Sequence, residues 1–197
     1  MTTHQPIRIG VLGTHSTGKT TLLKRIEMEL RAEGITVGRT SRLGKRAAAA
    51  GLPKMQRHTA RSTEWIITQG IADEIAAIAQ GAEVVLDRAA HDALAYFHAA
   101  LEYRGETAPR TEHKRLHALA ATQLPKYHLL LATVLDESVP VDPRHDYDPR
   151  YRRLVDQHVH QLLDRDDIPH LRVHSDPDSQ AHIVDEAVRS CLTEALV

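Results

Sequence analysis

Residues 13 to 20 read Gly13-Thr14-His15-Ser16-Thr17-Gly18-Lys19-Thr20, which fits the pattern G-x-x-x-x-G-K-[ST]. A glycine-containing turn of this length lets successive backbone N–H groups point inward at a dense polyanion. A lysine at the seventh position then adds a mobile charge, and a hydroxyl at the eighth can ligate Mg²⁺. The flanks suit the motif. Residues 7–12 form a short β-type run, and Leu23, Ile26 and Leu30 recur at helical spacing after Thr20. The loop therefore lies between a strand and a helix, as a phosphate-binding loop must. Gly13, His15, Ser16, Thr17, Gly18, Lys19, Thr20 and Thr21 are the candidate contacts to ATP, with Thr20 on Mg²⁺.

The second chemical signal is Glu83-Val84-Val85-Leu86-Asp87-Arg88, a strand-like run ending in an acid where a Walker B aspartate would stand. Hydrolytic P-loop ATPases usually follow that aspartate with a water-orienting glutamate, whereas Arg88 follows here. D-x-x-G, N/T-K-x-D and L-S-G-G-Q stretches are all absent, which argues against a GTPase and a transporter ATPase. An arginine beside the strand-end acid suits phosphoryl transfer to a bound acceptor, where catalysis is positioning plus charge neutralisation. Asp87 can hold Mg²⁺ through water or accept the acceptor's proton, and Arg88 can bridge phosphate and acceptor. A structural Asp–Arg ion pair is the alternative reading of the two.

The segment 139–149 carries three prolines within residues 140–149 and little apolar content, so an exposed loop is predicted, with Asp148 capping a helix that opens on Pro149. Segments of this kind are often lids. Arg144 and Arg152 are the candidate lid cations; Arg150 and Arg153 read as solvated.

Elements to hold these groups follow from periodicity. Strand-like runs at 7–12, 35–39, 83–87, 127–135 and 170–174 alternate with helical patterns at 20–31, 59–80, 92–103, 112–123, 148–163 and 180–196. Ile67, Ile71, Ile75 and Ile78 make one helical stripe. Leu129-Leu130-Leu131-Ala132 and Val84-Val85-Leu86 are continuously apolar, as strands covered on both faces are. The prediction is an α/β, three-layer P-loop NTPase fold with a five-stranded parallel sheet and an arginine-bearing lid at about 136–153.

With 197 residues, 42% hydrophobic and 26% charged, the chain suits one domain, 1–197. A net charge of −1 gives no field for nucleic acid or an anionic membrane. No stretch is long and apolar enough to span a membrane, no leader precedes the first strand, and a lone Cys191 excludes a disulfide framework, so a cytoplasmic chain is expected. A homodimer is left open. Among 14 histidines, His113 and His117 are four apart and His158 and His160 flank Val159, but no glutamate or cysteine completes a zinc motif. Solvated histidines are the expectation there.

The phosphate loop, Asp87-Arg88 with Asp92-Ala93-Leu94-Ala95-Tyr96, and Asp148-Pro149-Arg150-Tyr151-Arg152 together resemble the bacterial P-loop family of ribosylnicotinamide-kinase-like "AAA" domains, which is related to thymidylate and deoxynucleoside kinases. The likeness runs from Ile7 to about Leu196. It implies ATP with Mg²⁺ and phosphorylation of a small hydroxylated acceptor, often nucleoside-like, with contacts near Asp87, Arg88 and Asp92. One departure stands out: family members tend to carry an acid just after the second strand, where this chain has Gly38-Arg39-Thr40-Ser41-Arg42. Either Asp87 serves as base alone, or Arg39 meets an anionic acceptor. The resulting expectation is an ATP-dependent small-molecule kinase. The alternative is a regulatory ATP-binding module or slow ATPase acting through a protein partner.

Overall fold

Short runs of Val, Ile and Leu that have no polar face must be covered on both sides, and the chain solves this with one central sheet. A computed structural model describes residues 5–40, 42–141 and 148–195. Its strands are β1 (Ile7–Leu12), β2 (Val37–Arg39), β3 (Val84–Arg88), β4 (Leu129–Thr133) and β5 (Leu171–Val173). All pairings are parallel and the order is β2-β3-β1-β4-β5. The helices are α1 (Lys19–Ala32), α2 (Leu43–Ala49), α3 (Ala60–Ala79), α4 (Ala90–Arg104), α5 (Arg110–Ala121), α6 (Pro149–Arg165) and α7 (Pro177–Ala195), with 3-10 turns at Met55–Arg57 and Leu124–Lys126.

Alternation along each strand divides the core. Ile7, Ile9, Val11, Leu86, Leu131 and Val173 face α1 and α7. Leu12, Leu130 and Ala132 face the layer of α3, α4, α5 and α6. On that second face α4 is buried almost all round, and its Ala93, Ala95, Ala99 and Ala100 are small enough to seat it among its neighbours. Tyr151 of α6 is wholly buried and donates its hydroxyl to the Tyr96 carbonyl at 3.1 Å. Asp148 caps α6 by accepting from the Tyr151 N–H at 3.0 Å, with Pro149 opening the helix as the Asp-Pro pair predicts. Such a cap contributes about 1 kcal/mol.

The sheet is shorter at its edges than the periodicity predicts. β2 starts at Val37 rather than 35, and β4 spans 129–133 rather than 127–135. Tyr127 leaves the strand because the turn at Leu124–Lys126 swings its ring against Gly10, where a Cβ would lie 2.8 Å from Tyr127 Cε1. The isoleucine stripe of α3 is also different: Ile67 is buried, yet Ile75 is 59% exposed, and the residue buried beside it is Glu74. The bend in that stripe is chemical, since Glu74 points at the end of β3.

Candidate active site

The phosphate loop leaves β1 at Gly13, whose φ of +142° and whose backbone set against Thr133 exclude any side chain; a Cβ there would sit 1.8 Å from Thr133 Oγ1. Thr133 holds the loop twice more, meeting Thr17 Oγ1 at 2.6 Å and donating to the Leu12 carbonyl at 3.2 Å. Gly18, left-handed at φ +83°, is the N-cap of α1, and no side chain caps the first turn of that helix. An uncapped first turn behind a glycine loop is a ready anion site. Lys19 folds back to donate to the Gly13 carbonyl at 2.6 Å and to the Thr14 carbonyl. Burial, aided by Arg88 nearby, lowers its pKa to about 7, so a bound polyanion would restore its charge. Thr20 is exposed at the loop's end. The loop's form and donor set therefore fit a triphosphate.

Asp92 ties this loop to the end of β3. One carboxylate oxygen accepts from the Gly13 N–H at 2.9 Å, and the other pairs with Arg88 at 2.6 Å. The strand-end arginine is thus paired with Asp92, not with Asp87. Its guanidinium also lies over the Tyr96 ring, 5.1 Å from the centroid.

Beside this bridge opens a cavity of about 80 Å³, with Asp87, Arg88, Asp92, Tyr96, His58 and Glu74 among its walls. Its other sides are apolar, including Met55, Ile66, Ile67 and Ile71. Among the described residues, the buried His58 Nε2 and Arg88 Nε on these walls have no hydrogen-bond partner. Buried nitrogens are normally hydrogen-bonded, so a wall carrying two orphans is built for a polar guest. His58 is 2% exposed, and burial, with Arg88 and Arg104 adding to it, pushes its pKa down to about 3. It meets a guest as a neutral imidazole.

Asp87 stands at the closed end. Thr40 donates to one oxygen and the Tyr127 hydroxyl to the other at 3.0 Å. Glu74, 1% exposed, hydrogen-bonds Asp87 as well, and its other tie is to Arg8 at 2.5 Å. Burial, then the bond and charge of Asp87, pushes Glu74 up to about 8. Glu74 therefore favours its protonated form beside Asp87, because adjacent buried carboxylates cannot both ionise cheaply. Burial and the two acids also raise Tyr127, which keeps it a donor.

The sequence-level candidates therefore separate. Gly13, His15, Ser16, Thr17, Gly18, Lys19, Thr20 and Thr21 lie on the loop or the first turn of α1. Asp87, Arg88 and Asp92 lie on the cavity wall. Arg39 does not: it donates to Glu27 of α1 at 2.9 Å, drawn there by the nearer carboxylate. Arg144 is outside the described residues. Arg152 is buried and already docked, donating to the carbonyls of His15 at 3.2 Å and Ser16 at 3.1 Å, so it braces the loop instead of waiting on a mobile arm. Arg153 is exposed and paired with Glu137. Sequence reasoning missed Glu74, Thr40, Tyr127 and His58. None of the four carries a motif, and Glu74, next to Asp73 in an isoleucine-rich helix, reads as a solvated acid.

A parallel α/β sheet with a glycine loop between β1 and α1, an acid at the end of β3 and a walled cavity beside them define a P-loop nucleotide-binding protein. The AAA domain family matches residues 8–180, and the chain belongs to that family. No curated protein matches the sequence. Among solved structures, the fold is similar to NadR protein in complex with NR, with a TM-score of 0.65 and 18% identity over 94% of this chain and 50% of that one. NadR protein in complex with NAD and AMP-PNP gives 0.65 and 20%, covering 94% and 49%. Deoxyadenosine kinase from M. mycoides with bound dCTP gives 0.63 and 10%, covering 93% and 100%. The chain spans about half the length of the NadR chains it matches. No described helix is long and apolar enough to cross a membrane.

Proposed function

We propose that this protein is an ATP-dependent kinase that transfers the γ-phosphate to a hydroxyl of a small, nucleoside-like acceptor. The observation that carries the reading is Asp92, one carboxylate that ties the phosphate loop, through Gly13, to Arg88 on the wall of a cavity with unsatisfied polar atoms. That tie sets room for an acceptor beside the nucleotide loop, which supports transfer to a second bound molecule.

In this reading the loop amides and Lys19 hold the β- and γ-phosphates, and Thr20, with Asp87 through water, would hold Mg²⁺. Bound Mg-ATP supplies the electrophilic phosphorus and a neutralised leaving group. Asp87 accepts the proton of the acceptor hydroxyl as its oxygen bonds to phosphorus and the bond to the β-bridging oxygen breaks. Thr40 and Tyr127 fix the direction of its lone pairs. Arg88 lies over the transferring charge, and Arg152 keeps the loop rigid against it. His58 meets the acceptor's polar edge while the isoleucines and Met55 cover its apolar faces. The likeness in fold to kinases that take nucleoside-type ligands supports the same class. With Arg39 held by Glu27, a neutral hydroxylated acceptor suits the carboxylate-rich wall better than an anionic one.

The test is an acceptor screen with ATP and Mg²⁺, read by ADP release and a mass gain of one phosphate. A nucleoside or close analogue should raise turnover strongly and carry the added mass. Tight ATP binding with turnover flat across every acceptor would sink the kinase reading and leave the regulatory module.

A further inference from the structure

Away from the nucleotide loop, the outer layer brings together three histidines that the sequence spacing leaves apart. His113 and His117 share a face of α5, and His98 comes across from α4. One nitrogen from each lies within 4.8 Å of the other two. His98 Nε2 and His117 Nε2 are 3.0 Å apart, the rings of His113 and His117 stack at 4.4 Å, and those of His98 and His113 meet edge-on at 4.7 Å. All three are half-buried, so they are not the solvated side chains expected from sequence. A recess opens over His98 and His113, with His158 of α6 and Asp164 also lining it.

We propose that His98, His113 and His117 form a binding site for a first-row divalent transition metal, Zn²⁺ in the first instance, that clamps α4 to α5. Three nitrogens at about 2.0–2.1 Å from a tetrahedral zinc stand about 3.3 Å from one another. The observed separations, 3.0 Å for His98 and His117 and within 4.8 Å for all three, bracket that value. Imidazole nitrogens select zinc, cobalt, nickel and copper over Mg²⁺ and Ca²⁺, so this site does not compete for the ion at the phosphate loop.

The surroundings suit a cation of charge two. Arg165 contacts His117 Nδ1 at 3.3 Å, but Asp166 pairs with that arginine at 2.8 Å, and Asp164 and Glu102 add two more carboxylates. Metal on Nε2 would leave the His117 proton on Nδ1, the nitrogen that Arg165 now contacts, with Asp166, the ion-pair partner of Arg165, as the neighbouring carboxylate. A carboxylate holding the far nitrogen of a ligand is the usual outer partner of such sites. His158, bonded through Nε2 to Glu102 at 2.8 Å and with its ring 5.7 Å from that of His98, stands next to the fourth position. This inference is independent of the kinase reading.

The test uses the full chain, stripped with a chelator, dialysed and titrated without nucleotide. Calorimetry with Zn²⁺ should give one equivalent per chain, and Co²⁺ should give the strong visible bands of a tetrahedral nitrogen site. The His113→Gln/His117→Gln pair should lose more than the ~100-fold that changing an outer partner costs, while His182→Gln, on the exposed side of α7, should bind as the parent does. Circular dichroism checks that the double variant is folded. X-ray absorption on the zinc-loaded parent counts ligands without any variant: three or four imidazoles support the site. Absence of stoichiometric binding, two imidazoles or fewer, or unchanged affinity in the folded double variant would overturn it.

Discussion

The phosphate loop and the acceptor cavity lie side by side and share Asp92, yet they are written into the chain in opposite ways. The loop is eight consecutive residues acting largely through backbone groups, so its spacing alone reveals it. The cavity takes walls from α2, α3, β3, α4 and the turns between them, and acts through side chains whose neighbours are far away in sequence. A polyanion needs amides at fixed spacing, whereas a particular acceptor needs a particular set of polar atoms. The first task is local and the second is not.

The sharpest way to break the comparison is Lys19→Ala. Its ammonium touches only loop carbonyls, so the fold should survive while transfer falls by about 10³-fold or more, the scale of one cation on a transferring phosphoryl group. Circular dichroism with an ADP-release assay reads both, and a folded variant with full activity would remove the loop from the chemistry. Next comes Asp87→Asn on the cavity side. Turnover should drop about 10²–10⁴-fold with ATP affinity nearly unchanged; equal losses in both would move Asp87 into nucleotide binding alone.

Smaller effects separate the regions further. Arg152→Ala should weaken ATP binding by about tenfold through loss of its two charged hydrogen bonds to the loop, with acceptor KM unaffected. A kcat change with ATP binding untouched would instead restore the moving-lid picture. His58→Leu should raise acceptor KM by about tenfold, the value of one hydrogen bond, and leave ATP KM alone.

Glu74→Gln tests the raised Glu74 carboxyl by its pH dependence. With the folded Glu74 near 8 against an ordinary 4.5, the native state holds more protons than the unfolded chain between those values. Stability must therefore fall as pH rises from about 4.5 to 8, and the substitution should flatten that slope in thermal melts. In the rate profile of the parent, kcat/KM should rise as Glu74 loses its proton near pH 8, and that inflection should vanish in Glu74→Gln. An identical slope and profile in both proteins would mean that Glu74 is not held protonated in the folded chain.

These contrasts explain what could be read in advance. The five parallel strands, the helices between them and the loop follow from apolar runs, helical spacing and one octapeptide. Asp87 and Arg88 announced themselves as a charged end to an apolar strand. Glu74 did not, because a buried acid in an isoleucine stripe looks like a solvated helix position until its partners Arg8 and Asp87 are brought up by the sheet register. Arg39 misled for the same reason: its spacing after β2 was right, but Glu27 on α1 lies closer than the cavity. The histidines of α4 and α5 could not be joined without knowing which faces of the two helices meet.

Thr133 carries one last consequence. The glycine turn is pinned by a residue 120 positions downstream of Gly13, across the β1–β4 pairing that sets Leu12 beside Ala132. Contacts of such long sequence separation form late, because the chain between them must lose its freedom before the pairing rewards it. A nascent chain that has emerged only as far as β3 therefore holds the full octapeptide without a rigid loop. Competence to grip a triphosphate arrives abruptly when β4 docks, so capture of a nucleotide during refolding reports completion of the sheet's centre and not formation of the motif.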